Sequence, residues 1–149
     1  MYEGPGPPDD RDAQRELLLR EGLGDLGALG GRLGGPQGAG GGRLGARLTA
    51  RLLPTRHHEE TLELPGATPE LAWDVLAHLG RAVDRSPEED GVRVRGVVGA
   101  GALNMNPAVV DIAVAPGGRV TIHAAAKEGL IPQRTARGAV RRVIDSLAP

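Results

Sequence analysis

The stretch GVRVRGVVGAGAL (Gly91–Leu103), followed by PAVVDIAVA (Pro107–Ala115) and GRVTIHAAA (Gly118–Ala126), decides the fold of this 149-residue chain. Apolar and polar residues alternate through it. Val92 and Val94 alternate with Arg93 and Arg95, Val110, Ile112 and Val114 enclose Asp111, and Val120 and Ile122 alternate with Thr121 and His123. A period of two marks strands with one face buried, and the Asn/Pro and Pro/Gly turns between them are short. Three such strands in a row form an antiparallel meander with a single apolar face.

Working upstream, Leu62 and Leu64 alternate with Thr61 and Glu63 as a further strand, ended by Pro65 and Gly66. Thr68 then suits a helix N-cap, Pro69 the first helical position and Glu70 the positive end of the helix dipole. From there Ala72, Val75, Leu76, Leu79 and Val83 follow the spacing of one helical face, with Trp73 covering the edge of the core beside it. Ser86–Gly91 reads as a polar turn. Downstream, a second helix opens near Pro132 and gathers Ala136, Ala139, Val140, Val143, Ile144 and Leu147 on one face, with Arg134, Arg137, Arg141 and Asp145 towards water. The expected order is β-α-β-β-β-α. It makes a two-layer α+β sandwich over residues 55–149, an antiparallel four-stranded sheet covered by two helices.

Residues 1–54 read as a mostly disordered arm with short helical segments. The Gly/Pro-rich first eight residues offer nothing to bury. Asp9–Glu21 suits a short helix, whereas Gly22–Gly45 is so rich in glycine that a flexible linker is expected, each helix-interior Gly costing about 1 kcal/mol relative to Ala. Beyond it, Leu44, Leu48 and Leu52 line up beside Arg43, Arg47 and Arg51, a small basic amphipathic helix. No acidic residue occurs from Gly27 to His58. Arg43, Arg47, Arg51 and Arg56 are therefore the candidates for meeting an anionic surface, membrane or nucleic acid.

Composition narrows the function classes. The chain has no Phe, one Trp and one Tyr, so its core is aliphatic and the aromatic anchors of tight interfaces are scarce. A formal net charge of −1 gives no global electrostatic reason to bind nucleic acid. Without cysteine there is no disulfide framework, thiolate nucleophile or Cys-ligated zinc. The opening MYEGPGPPDD has neither a basic nor an apolar leader segment, so a soluble, cytoplasmic protein is expected.

One family resemblance is carried by TLELPGATPELAWDVL (Thr61–Leu76), a strand followed by an A-x-P-E-x-x-W-x-x-L helix start. This run resembles the opening strand and helix of the START and polyketide-cyclase superfamily of helix-grip folds. The resemblance implies an antiparallel sheet wrapped around a long terminal helix, with a cavity for lipids, hormones or polyketides. The chain departs from that family between the two helices, where the family has six strands and this sequence has room for three. No pocket or catalytic residue is carried over.

Candidate chemistry is sparse. Val97–Asn104 (VVGAGALN) has the Gly99-x-Gly101 start of a dinucleotide fingerprint, but a turn and another strand follow instead of a helix, so the glycines are expected to bend or bulge the sheet. His57, His58, Glu59 and Glu60 are dense in ligand types, yet neighbours on a strand point to opposite faces, so no metal site and no cofactor are expected. Arg95, Asp111 and His123 fall on the polar face of neighbouring strands, where a histidine beside a carboxylate could act as a base. The loop carrying Lys127 and Glu128 and the turn carrying Asn104 and Asn106 are the remaining candidates for binding. The resulting expectation is a non-enzymatic binding or protein-interaction module, working on an unknown protein partner or by self-association. Its alternatives are a helix-grip-like carrier or cyclase for a hydrophobic small molecule, and a regulator tethered through the basic arm.

Overall fold

A computed structural model of the chain describes residues 10–33, 38–100, 106–128 and 134–148. The chain divides into two compact units, Met1–Arg51 and Leu52–Pro149. The first holds helices α1 (Asp10–Leu33) and α2 (Gly38–Leu52). Asp10 and Asp12 sit in the first turn of α1, and Arg15 pairs with Asp12 at 2.6 Å and Arg20 with Glu16 at 3.0 Å one turn apart. The linker expected over Gly22–Gly45 is instead helical across Gly22–Leu33 and Gly38–Gly45. On α2 the leucine line lies at the surface, with Leu44 62%, Leu48 53% and Leu52 86% exposed.

The second unit contains β1 (Thr55–Glu63), α3 (Pro69–Leu79), β2 (Gly80–Glu88), β3 (Gly91–Ala100), β4 (Asn106–Val114), β5 (Arg119–Lys127) and α4 (Thr135–Leu147). Its sheet is antiparallel with the order β1-β5-β4-β3-β2. The architecture is α+β, as the alternation predicts, but the sheet has five strands where four were expected. The additional strand is β2. It occupies the end of the expected helix, Val83 included, and the first half of the expected polar turn, Ser86 to Glu88.

The helix stops at Leu79 because of what surrounds Gly80. A Cβ at Gly80 would run into the Val97 carbonyl oxygen, so only a residue without a side chain lets the backbone turn straight into the edge of the sheet. β2 then pairs with β3 in a register that shifts between Ala82 and Asp84, making Val83 the extra residue of a bulge. The bulge expected from the glycines of β3 therefore lies on its neighbour. Gly96 serves the packing of α3 instead. A Cβ there would come within 3.1 Å of the Leu76 side chain, so its absence seats the helix on the sheet.

Both helices cover the same face. Ala72, Val75 and Leu76 of α3 and Ala136, Ala139, Val140, Val143 and Leu147 of α4 join Val94, Val98, Val110, Ile112, Val120 and Ile122 in one buried cluster. Trp73 packs partly buried against it. Thr68 caps α3, its hydroxyl accepting from the Leu71 N–H at 3.2 Å.

Candidate functional site

Strand register assembles the first group of candidate residues. Arg95 stands opposite Asp111, Asp111 opposite His123 and His123 opposite Glu59, while the bulge brings Asp84 opposite Arg95. One row of ionisable side chains thus crosses the whole sheet in the order Asp84, Arg95, Asp111, His123, Glu59. Carboxylates alternate with nitrogen bases along it, an arrangement that favours this register over any slip.

The row was expected on a solvated face. Instead Arg95 is 3% and Asp111 5% exposed, and Val109 and Ala125 on the same face are fully buried. The pair tolerates burial because it is bidentate: Arg95 donates from Nε to Asp111 Oδ1 at 2.6 Å and from Nη2 to Oδ2 at 3.2 Å. The two charges thus answer each other within the sheet.

His123 meets a partner that the sequence does not disclose. His57 Nδ1 lies 3.3 Å from His123 Nε2, with the rings tilted at 36° and their centroids 5.3 Å apart. One nitrogen donates and the other accepts, so the contact needs at least one neutral ring. His58, on the opposite face of β1, turns instead to Glu60 Oε1 at 2.9 Å. Among the described residues no three His, Asp or Glu side chains converge on a metal position.

Lys127 ends β5 and Glu128 follows it. Lys127 Nζ donates to the Leu53 carbonyl at 3.3 Å and the Glu128 N–H to the Pro54 carbonyl at 3.1 Å, fastening the chain as it enters β1. The Glu128 side chain is buried and accepts from the Thr135 N–H at 2.6 Å. It therefore caps α4 in place of Arg134, which takes a left-handed conformation with φ 53° and gives no side-chain cap. Glu128 thus serves the start of α4 as a cap.

The remaining candidates scatter. Asn106 opens β4 opposite Ala100, Asn104 lies outside the described residues, and Arg43, Arg47 and Arg51 lie on α2. Arg56 belongs to β1 and not to the arm. Gly99 remains within β3, where its carbonyl accepts from Arg142 of α4, and the next described element is strand β4 rather than a phosphate-binding helix.

Two open clefts lie at opposite ends of the sheet. One, of about 570 Å³, is bordered by the turns Pro65–Glu70 and Ala115–Gly118. The other, of about 470 Å³, lies where β1 begins and α4 begins, and is lined by Arg56, His57, His58, Glu128, Arg134, Ala136 and Arg137. The sequence alone places Arg134 and Arg137 simply on the watery face of a helix. Only the fold brings them beside Arg56.

No helix among the described residues is long and apolar enough to cross a membrane. Comparison with protein families, with curated proteins and with solved structures finds no match to this chain, so its function rests on the residues themselves.

Proposed function

We propose that the Leu52–Pro149 unit is a non-enzymatic binding module that receives its ligand on the surface, at the corner between β1 and α4. The supporting observation is that the side chains between sheet and helices, from Leu76 and Ile112 to Ala139 and Val143, are fully buried, while the two clefts described above open at the ends of the sheet. A carrier of the helix-grip kind needs an internal chamber of roughly 300 Å³ or more. Here the best-placed charged pair, Arg95 with Asp111, is also locked in mutual hydrogen bonds, which favours structure over turnover.

The reading is tested by filling the core further. Ala139→Leu adds volume at a fully buried core position, and overpacking of this kind costs about 1–3 kcal/mol. A fall of that size in urea-unfolding stability, together with no saturable uptake of the neutral apolar dye Nile red, is the expected outcome. Unchanged stability with stoichiometric dye uptake would place a chamber beneath the helices and favour the carrier.

A further inference from the structure

The charges of the second unit fall into two classes. Arg85 pairs with Glu70 at 2.7 Å, Arg93 with Glu88, and Arg95 with Asp111. Arg56, Arg134 and Arg137 have no ion pair among the described residues, and these three line one cleft. His57 and His58 also border it. The acidic groups at the corner are already engaged, Glu128 with the Thr135 N–H and Glu60 with His58. Three permanent positive charges thus face a cleft with one buried, hydrogen-bonded carboxylate. Like charges brought together repel unless an anion joins them.

We propose that this cleft binds a small molecule bearing a phosphate group, held by Arg56, Arg134 and Arg137. This rests on the binding-module reading and gives its ligand a chemical class. Guanidinium groups present planar forks of donors, and forks approaching from a strand and from a helix can engage different oxygens of one tetrahedral phosphate. A dianion also answers three cations better than a single carboxylate does. The site is made by side chains and not by the end of α4, whose Thr135 N–H is already occupied by Glu128. At about 470 Å³ the cleft is in the range of small-molecule sites, so it has room for an organic moiety beyond the phosphate, against the Ala136 methyl group.

The experiment is a titration of the full chain with inorganic phosphate and with ribose 5-phosphate at constant ionic strength, followed by amide ¹H–¹⁵N spectra. Saturable shifts are expected at residues 56–58 and 134–137, with the sugar phosphate binding more tightly. The double variant R134A/R137A should weaken binding at least about tenfold, whereas Arg141→Ala, on the same helix but outside the cleft, should change it less than about twofold. A parallel sedimentation with vesicles containing phosphatidic acid separates a lipid headgroup from a soluble phosphate. Equal losses in R134A/R137A and Arg141→Ala would reduce the effect to general charge attraction and overturn the site. Absence of saturable shifts at millimolar phosphate, or retention by vesicles alone, would overturn it as well. If Nile red stays excluded in such a case, the binding-module reading survives without this ligand. Stoichiometric dye uptake would remove that reading whatever the phosphate result.

Discussion

Two arginine-bearing regions of the sheet behave in opposite ways. In the middle, Arg95 is buried against Asp111 with two hydrogen bonds, and its charge is invisible to solvent. At the corner, Arg56, Arg134 and Arg137 are exposed around a cleft and have no described carboxylate to satisfy them. The residue type is the same, and what differs is whether the fold supplies the counter-ion. A supplied counter-ion makes a structural element. A missing one leaves the charge available to a ligand.

Breaking the buried pair should have the largest effect. Arg95→Met removes the bidentate guanidinium from the buried Asp111 carboxylate, and a loss of about 3–5 kcal/mol in urea-unfolding stability is expected. The double variant Arg95→Met with Asp111→Leu should recover most of it, because well-packed apolar residues replace a buried ion pair at little net cost. If the single and double variants were equally unstable, the pair would not be the unit that matters. Next in size is Glu128→Ala, which strands the Thr135 N–H at the start of α4. A destabilisation of about 1–3 kcal/mol is expected, the usual penalty for an unsatisfied buried donor. Hydrogen exchange should localise the change to the first turn of α4; protection that stays uniform would contradict the capping role.

The smallest effect concerns an exposed pair on the helix-covered side. The Arg85 hydrogen bond, assisted by a backbone hydrogen bond, holds the Glu70 carboxyl below its ordinary pKa. Because the folded value is lowered, the stabilisation is complete above the ordinary carboxylate value and fades as pH falls through the lowered one. Glu70→Gln should therefore flatten the acid limb of the Tm–pH curve slightly and leave Tm at neutral pH nearly unchanged. A shift at neutral pH as large as that of Glu128→Ala would mean that exposure is not what separates weak pairs from strong ones in this molecule.

Legibility in the sequence follows from burial pattern. β3, β4 and β5 alternate Val or Ile with polar residues, and their inward residues are the ones that form the core. α4 is equally legible, since its apolar stripe is the face it buries. β2 is not, because the edge strand RAVDRSPE turns only small or polar groups inward, and Val83 happens to continue the helical spacing of α3. Within the site, Arg95, Asp111 and His123 could be placed as neighbours from strand order alone. Their burial could not, nor could the contact between His57 and His123, whose register depends on β1 closing onto β5 from the far end of the domain. The cleft was the least legible of all, because Arg56 and Arg134 meet only when the first strand and the last helix share a corner.

The bulge at Val83 also bears on how this sequence can vary. Pairing is regular on either side of it, Ala82 with Gly96 and Asp84 with Arg95, so Val83 is a residue that the ladder does not use. Its deletion would leave every other partner of β2 in place, and Asp84 would keep its seat in the charged row while Arg85 kept facing Glu70. In β4, paired on both sides, the loss of one residue would turn Asp111 into the core and an isoleucine or valine out of it. Length changes are thus confined to the rim of the sheet, where a strand has only one neighbour to keep in phase.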